Sequence, residues 1–512
     1  MTGMFARLAA FSGWRADVAM LATGALCAAA LPPVYAIPVL LFGIPALLAA
    51  LGNTAGFWGA FRRGWWFGFG LNLVGLYWIT EAILIEAARF WWLVPLAVPA
   101  LAAVMAVFVG ATSALARLAR PGWRRVFALA GAWTLADLAR QFIATGFPWN
   151  PMGSVWEMPG WPGDTMIQPA AAIGVHGLTL LTLLLAAVPI LGWRWRGAAL
   201  GSLALWAGAG TLRLERMPAD DPGAPHVVVV QGNVPQGQKW DRTLVESIFG
   251  RYLALSADGL RQAGPGPAMV LWPETASPFQ LETDASAREA ITAVTGSAVA
   301  LIGAVRFGRD GRPRNSLFAL TAGGATSRTF DKWHLVPFGE YQPDWLPLGV
   351  QLVPGGGFAP GPGPVTLSPP GFPPVGPLIC YEAIFSGQVV DRGNRPAWMA
   401  NVTNDAWFGN STGPRQHLAA ARMRAVEEGL PLIRAANTGI SAIFDAYGHE
   451  ISRLGMGQTG VLVAPLPRAL PPTPFGRFGL PIPGLLALFA LVVGLLRSRV
   501  PTLGTNPKMQ LL

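Results

Sequence analysis

Long apolar stretches separated by short polar connections fill the first 215 residues, and one more lies near the C-terminus. A helix needs about 20 consecutive apolar residues to span the hydrocarbon core of a bilayer. The stretches lie approximately at 16–31, 36–51, 64–80, 91–116, 126–143, 169–192, 197–212 and 479–496. The second and seventh are short and interrupted by Gly or Pro. The pattern therefore predicts a polytopic α-helical membrane part of about eight spans, or of six if neither of these two stretches crosses the membrane.

A different pattern occupies residues 215–478. After the polar linker "LERMPADDPGAPH", short runs rich in β-branched residues alternate with segments of helical periodicity. The predicted strands lie at 226–234, 268–275, 298–305, 315–322, 376–383, 397–405, 431–445 and 459–466, and the predicted helices at 241–262, 285–295 and 415–429. Strands that alternate with helices predict a layered α/β domain. We thus expect three parts, namely a membrane domain at 1–214 with about seven helices, an α/β domain at 215–478, and a C-terminal transmembrane helix with a cytoplasmic tail at 479–512.

The arginine residues predict which side of the membrane each part faces. They are Arg7 and Arg15 before the first stretch, Arg62 and Arg63 after the second, Arg117, Arg120, Arg124 and Arg125 after the fourth, Arg194 and Arg196 after the sixth, and Arg497 and Arg499 after the eighth. The connection at 144–168 contains neither Lys nor Arg. Because basic residues collect on the cytoplasmic side, we expect a cytoplasmic N-terminus. Both 144–168 and 215–478 then lie outside the cytoplasm. The train of similar segments favours a span over a cleaved signal peptide for the first stretch.

Composition narrows the class of protein. Hydrophobic residues make up 52% and charged residues 12% of the chain, whereas soluble domains carry about 25% charge. The net charge of +10 comes with no compact Lys/Arg run, so nucleic acid is not an expected partner. The two cysteines form no disulfide framework or metal-ligand cluster, and we expect neither a metal nor another cofactor. Cys27 lies within "ALCAAAL" and is read as a small buried hydrophobe.

Three chemically capable side chains stand where predicted strands end. Glu274 ends "VLWPE", Lys332 follows the turn after 315–322, and Cys380 ends "GPLIC". Functional residues of layered α/β domains lie at such ends, so the three can converge on one rim. Each also has a plain structural reading, as a solvated turn, a snorkelling lysine and a core cysteine.

Together the three residues form a chemical set. A carboxylate can accept the thiol proton as general base, and an ammonium can stabilise both the thiolate and the oxyanion that follows attack on a carbonyl. A Cys-His pair is the competing arrangement. The histidines of the domain are His226, His334, His417 and His449, and His334 is the strongest rival because it lies two positions from Lys332.

The motifs "VQGNVPQGQKWD", "WPETASPF", "DKWHLVPFGEY", "ICYEAIF", "TNDAWFG" and "RMRAVEEGLPLIRAANTGISA" resemble those of the carbon–nitrogen hydrolase (nitrilase) superfamily. With the flanking spans and "TGFPWNP", the chain is similar to the membrane branch of that superfamily, the apolipoprotein N-acyltransferases. The resemblance implies an extracytoplasmic nitrilase-like αββα sandwich. It implies Glu274 as general base, Lys332 as oxyanion stabiliser and Cys380 as nucleophile. By the same resemblance, Trp240, Glu340, Tyr381 and Glu382 are supporting residues.

The resemblance also implies a reaction. Cys380 would take an acyl chain from a phospholipid, with phosphatidylethanolamine as the expected donor, and form a thioester. The α-amino group of the N-terminal diacylglyceryl-cysteine of an apolipoprotein would then accept the acyl group. The expected place is the inner membrane, with the catalytic domain on the periplasmic side. Trp240, Trp333 and Trp407 are candidates to line an apolar path for the acyl chains, and core packing is their alternative reading. The Pro- and Gly-rich segment 342–375 is a candidate cover.

Three other functions remain open from the sequence. A membrane-tethered amide or nitrile hydrolase would use the same triad with water as acceptor. A transporter is disfavoured because Glu81, Asp137 and Arg140 lie near predicted span ends, whereas transporters place ionisable groups within the spans. A non-catalytic scaffold would tolerate loss of Cys380.

Overall fold

The computed structural model of the chain describes residues 2–85, 87–218, 221, 223–239, 241–343 and 357–496. The helices are α1 Thr2–Ala9, α2 Gly13–Cys27, α3 Leu40–Gly52, α4 Gly56–Gly75, α5 Ile79–Leu84, α6 Ala87–Phe90, α7 Val94–Leu118, α8 Trp123–Ala139, α9 Trp161–Met166, α10 Ala170–Ala186, α11 Trp193–Leu214, α12 Val245–Ala263, α13 Ala285–Thr295, α14 Gly413–Glu428, α15 Pro474–Phe478 and α16 Pro481–Leu495. The strands are β1 His226–Gln231, β2 Ala268–Leu271, β3 Val299–Phe307, β4 Pro313–Leu320, β5 Thr326–Asp331, β6 Val375–Ile379, β7 Trp398–Thr403, β8 Leu432–Ala436, β9 Ser441–Phe444, β10 Glu450–Leu454 and β11 Gly460–Pro465.

The N-terminal part is a helical bundle in which glycines allow close contact between helices. α4 packs between α2 and α7, and α8 packs against α16, α7 and α10. A Cβ atom at Gly24 of α2 would overlap the main-chain carbonyl of Phe67 in α4, and one at Gly131 of α8 would overlap that of Ala487 in α16. Small residues at helix contacts are typical of bundles in lipid, where close backbone packing replaces the hydrophobic drive for association.

Helices occupy all eight apolar stretches of the sequence. Within the described residues, two continuous helical stretches are long and apolar enough to cross a membrane individually, Ala87–Leu118 and Ala170–Ile190. Ile37–Gly52 and Pro481–Leu495 are apolar but shorter. The structure therefore supports a helical N-terminal part, and the number of eight spans stays a prediction.

Two sheets form the domain between α11 and α15. The strand orders are β11-β1-β2-β3-β4-β5 and β10-β9-β8-β7-β6. The central strands β1, β2 and β3 are parallel, as are β6, β7 and β8, and the other pairs are antiparallel. The β-branched runs of the sequence thus form the buried central strands, as parallel strands with both faces covered require.

The domain has four layers. Inward-facing side chains of the two sheets share one core, which includes Val229 and Leu271 from one sheet and Ala400 and Ile433 from the other. The outer face of the first sheet packs under α12 and α13, and the outer face of the second packs under α14. The layer order is helix, sheet, sheet, helix, so the predicted layered α/β domain is confirmed.

The structure adds elements that the hydrophobic pattern did not predict. β5 and β10 are missed because "TSRTFD" and "EISRL" carry polar residues on an exposed side. The predicted strand at 431–445 is two strands, β8 and β9, which form an antiparallel pair across a turn. In the segment 342–375, residues 344–356 lie outside the described residues.

The helical part and the α/β domain are in direct contact. In the connection 144–168, Trp149 Nε1 donates to Gln416 Oε1 of α14 at 2.8 Å. The hydroxyl of Tyr381 donates to the main-chain carbonyl of Gly146 at 2.7 Å. The tryptophan-containing connection therefore packs against the segment that begins with Cys380.

Candidate active site

Three predicted site residues follow strands, and the strands come from both sheets. Glu274 lies three positions after β2 and Lys332 directly follows β5, both from the six-stranded sheet. Cys380 directly follows β6 of the five-stranded sheet. The main-chain N–H of Asn404, just beyond β7, donates to Glu274 Oε2 at 2.8 Å. This hydrogen bond joins the strand ends of the two sheets, so the site lies where the sheets meet.

Glu274 is a buried carboxylate surrounded by donors. Its Oε1 atom lies 3.4 Å from Lys332 Nζ and accepts a hydrogen bond from Asn315 Nδ2 at 2.6 Å. Burial raises the pKa of Glu274, but the charges of Lys332 and Lys239 and these hydrogen bonds outweigh burial and lower it below the ordinary value. The side chain is therefore ionised at neutral pH and is able to accept a proton.

Lys332 lies between two carboxylates. Its side chain is 1% exposed, and Nζ lies 2.9 Å from the carboxylate of Glu340 and 3.4 Å from that of Glu274. Burial disfavours the ammonium, but Glu340 and Glu274 together raise the pKa of Lys332 above its ordinary value. Val336 N–H and Asn315 Nδ2 donate to Glu340 as well. The lysine is thus a fixed cation held in one position.

Cys380 occupies a strained turn. Its φ of 51° is in the left-handed region, which is unfavourable for a residue with a side chain. A 3-10 turn, Cys380–Ile384, begins at this residue. Burial, then the charge of Glu274, raises the pKa of the Cys380 thiol, while Lys332 and a hydrogen bond from the Thr403 side chain favour the thiolate. The resting thiol is therefore protonated and needs a base to become a nucleophile.

Glu382 connects the cysteine turn to the lysine loop. Its carboxylate accepts hydrogen bonds from the main-chain N–H groups of Ile379 at 2.6 Å and Trp333 at 2.7 Å. These contacts fix Cys380 and Lys332 relative to each other. The Glu382 side chain thus has a supporting position, as does Tyr381 through its bond to the connection 144–168.

The remaining predicted residues are placed differently. Trp407 is 41% exposed in the 3-10 turn Asp405–Phe408, and Trp333 stacks on the ring of His334. Trp240 lies outside the described residues. In the second half of the segment 342–375, Gly361 N–H donates to the carbonyl of Lys332 at 2.8 Å, so this part packs beside the site.

The histidines do not pair with the cysteine thiol in the described ranges. His334 stacks on Phe385, His449 pairs with Asp164, and His226 lies in β1. His417 Nε2 contacts the carbonyl oxygen of Cys380 at 2.9 Å and not its sulfur. The geometry therefore favours Glu274, and not a histidine, as the base.

Two family models match the chain, one over the helical part and one over the α/β domain. A family model described as the apolipoprotein N-acyltransferase N-terminal domain matches residues 23–188, and one described as carbon-nitrogen hydrolase matches 229–470. An apolipoprotein N-acyltransferase of Rhodopseudomonas palustris is 40% identical over 96% of each chain. Another, of Bradyrhizobium diazoefficiens, is 39% identical over 95% of this chain and 96% of its own. The chain belongs to the apolipoprotein N-acyltransferase family.

Membership confirms the resemblance that the sequence motifs indicate. As an apolipoprotein N-acyltransferase, the chain is an enzyme that transfers an acyl group to lipoproteins. This assignment favours transfer over the hydrolase, transporter and scaffold alternatives. Among solved structures, an amidase from Nesterenkonia sp. is similar, with a TM-score of 0.36 and 18% identity over 49% of this chain and 93% of that chain.

Several polar neighbours of the site carry no clear signal in the sequence. Asn315 donates to both Glu274 and Glu340, Thr403 contacts the thiol, and Lys239 Nζ donates to the carbonyl oxygen of Glu274 at 3.0 Å. Asn315 and Thr403 lie inside ordinary strand patterns and carry no local signal. Lys239 does carry a sequence signal, because the chain contains only three lysines. Within the described residues, no group of three or more His, Cys, Asp or Glu side chains is arranged to hold a metal ion.

Proposed function

We propose that the chain acylates the N-terminal α-amino group of diacylglyceryl-modified apolipoproteins through a thioester on Cys380. The observation that carries the proposal is the buried group of Glu274, Lys332 and Glu340 next to a thiol that is protonated at rest. A base, a fixed cation and a nucleophile are the components that acyl transfer needs. The proposed donor is a phospholipid, with phosphatidylethanolamine as the specific candidate.

In the first step, Glu274 accepts the thiol proton while the Cys380 sulfur attacks the ester carbonyl of the sn-1 chain. The carbonyl oxygen becomes an oxyanion, which the Lys332 ammonium stabilises. The C–O bond then breaks, and the leaving lysophospholipid alkoxide takes the proton from Glu274. The products are the acyl thioester and a neutral hydroxyl on the lysophospholipid.

In the second step, the neutral α-amine of the acceptor attacks the thioester carbonyl. Glu274 accepts a proton from the attacking nitrogen, the C–S bond breaks, and the departing thiolate takes that proton back. The enzyme returns to its starting protonation state. Glu340 holds Lys332 in place through both steps, because its carboxylate lies 2.9 Å from Nζ.

An apolar connection between the helices and the nucleophile supports a lipid donor. Tyr381, Ile384 and Phe385, which follow Cys380, share a buried cluster with Trp149 and with Met105 of α7. Drawing an acyl chain from lipid into water costs about 0.8 kcal/mol per CH₂ group. A path along this cluster lets the ester reach Cys380 without that cost.

The proposed topology places the site outside the cytoplasm at the inner membrane. About eight spans, with domain boundaries near 214 and 478, put the α/β domain on the periplasmic side. Large apolar side chains that point outward from the helices support contact with lipid, including Leu96, Val104 and Val107 of α7 and Leu485 and Phe489 of α16.

An acyl-transfer assay with the full-length enzyme in detergent–phospholipid micelles tests the proposal. The donor is phosphatidylethanolamine labelled in its sn-1 chain, and the acceptor is a peptide with an N-terminal diacylglyceryl-cysteine. We expect label on the peptide amine, and Cys380→Ala should abolish it. Label appearing only as free fatty acid would favour the hydrolase alternative and contradict the proposal. A matched peptide with a blocked N-terminus tests whether the α-amine is the acceptor, and a reaction without enzyme controls for nonenzymatic transfer.

A further inference from the structure

Lys239 is a second buried cation of the site. It lies in the loop after β1 and is 6% exposed, and its Nζ donates to the main-chain carbonyl of Glu274 at 3.0 Å. The same loop is tied to the site a second time, since Asn404 Nδ2 donates to Gln236 Oε1 at 2.8 Å. The loop therefore contacts both Glu274 and the residue whose N–H binds the Glu274 carboxylate.

Lysine is used sparingly in this chain. The 37 basic residues include only three lysines, Lys239, Lys332 and Lys508. Lys508 lies outside the described residues, and the other two are buried in this one site. A lysine ammonium is a compact point charge with freely rotating donors, whereas a guanidinium is planar and larger. The use of lysine at both positions fits a confined anionic site.

Among Glu274, Glu340, Lys332 and Lys239, the charges balance only when Lys239 is counted. Glu274 and Glu340 contribute two negative charges, and Lys332 contributes one positive charge. When the thiol proton moves to Glu274, the oxyanion replaces the lost negative charge, so the excess of one persists through the reaction. An uncompensated buried charge is costly. The ammonium of Lys239 cancels that excess.

We propose that Lys239 is a positioning residue for acyl transfer, which fixes the main chain at Glu274 and stabilises the negative charge shared by Glu274 and Cys380. The inference rests on the proposed function, because it requires Cys380 as the nucleophile. The titratable groups that interact with Lys239 are Glu274 and Cys380, with Lys332 and Glu340 beyond them. Burial lowers the pKa of Lys239 to about 8 against the opposing effects of Glu274 and of Cys380 in its thiolate form, so the ammonium form predominates at pH 7.

The experiment measures the pH dependence of Cys380 alkylation by iodoacetamide in the full-length enzyme. A Cys27→Ala background leaves Cys380 as the only thiol. Lys239→Met removes both charge and hydrogen bond, Lys239→Gln keeps a donor without the charge, and Lys239→Arg keeps both. Only the thiolate reacts, so loss of the cation should shift the pH profile of the Cys380 alkylation rate to higher pH by about one unit. At a fixed pH below the midpoint, the alkylation rate should then fall about tenfold. We expect this shift in the Met and Gln variants and a smaller one in the Arg variant.

A Gln variant whose profile matches the wild type would overturn the inference, because the role would then be the hydrogen bond alone. The Gln variant serves this purpose even if the Met variant does not fold. Arg251→Met is the matched control, since Arg251 is an exposed cation that donates to Gly232 of the same loop at 3.1 Å; its profile should not move. A different result would contradict the proposed function itself, namely acyl transfer that persists in the Cys380→Ala variant.

Discussion

The Nε2 atom of His417 lies 2.9 Å from the main-chain carbonyl oxygen of Cys380. A carbonyl oxygen only accepts, so the histidine donates and holds the backbone of the strained turn. His417 is in turn held by Asp405, whose Oδ1 lies 2.9 Å from Nδ1, and Arg434 pairs with the other carboxylate oxygen at 2.7 Å. A fully buried His, Asp and Arg group therefore supports the nucleophile from behind.

His417→Ala should lower the rate of thioester formation more than it raises KM. The substitution leaves the buried Cys380 carbonyl unpaired, at a cost of about 1–3 kcal/mol, and it frees the turn that orients the sulfur. Rates of acyl-enzyme formation and unfolding temperatures measure the two effects. His449→Ala, at a histidine whose side chain is 51% exposed, is the matched control. An unchanged rate of acyl-enzyme formation in the His417 variant would show that the turn at Cys380 keeps its conformation without the histidine.

Glu274→Gln should reduce thioester formation by about 100- to 10,000-fold, because the amide cannot accept the thiol proton. The variant keeps the shape of the side chain, and its amide oxygen can still accept from Asn404. Single-turnover acylation with labelled phospholipid measures the loss. Glu282→Gln, at a half-exposed carboxylate of the same domain, should leave the rate unchanged. A Glu274→Gln rate within a few-fold of wild type would assign the base to another residue.

Asp405 should stabilise the fold above pH 4 and lose that effect in acid. Burial opposes its ionisation, but Arg434 and His417 outweigh burial and lower the pKa from 3.8 to about 2. A carboxylate with a lowered pKa in the folded state contributes stability above its unfolded pKa, and the contribution disappears as pH falls through the folded pKa.

Thermal unfolding of Asp405→Asn and wild type from pH 5 to pH 2 tests this expectation. The variant should be less stable at pH 5, and the gap should narrow as the pH falls toward the folded pKa of Asp405, about 2, where this side chain becomes protonated. A gap that stays constant across this range would mean that Asp405 acts by shape alone.

The topology predicts opposite labelling of two exposed positions. In a Cys27→Ala background, Glu289→Cys on α13 should react with a membrane-impermeant maleimide in cells with a permeabilised outer membrane. Arg120→Cys, in the connection after α7, should react only after lysis. Both positions are exposed, and Cys380 is buried. Labelling of position 120 but not 289 in intact inner membranes would reverse the orientation.

The sequence anticipated those parts of the site that follow local patterns. Glu274, Lys332 and Cys380 end strands or follow turns, and those boundaries are visible as the ends of apolar runs. Motif resemblance added Glu340 and Glu382, whose contacts with Lys332 and with the cysteine turn the structure then shows.

Contacts that depend on tertiary packing could not be predicted from the sequence. Lys239 and Glu274 are 35 residues apart, and Cys380 and His417 are 37 apart, and each pair is brought together by the packing of separate strands and helices. β10 escaped notice because three of the five residues in "EISRL" are polar and the strand lies at the edge of a sheet. An edge strand buries little surface, so its hydrophobic signal is weak.

The most direct measurement is intact-protein mass spectrometry of the enzyme after incubation with phosphatidylethanolamine of defined acyl chains and without acceptor peptide. We predict a mass increase of one acyl group in place of one hydrogen, located on Cys380 by peptide mapping and removed by neutral hydroxylamine or by acceptor peptide. Cys380→Ala should show no such increase. Acyl transfer that proceeds without any modification of Cys380, or that persists in the Ala variant, would contradict the proposed thioester.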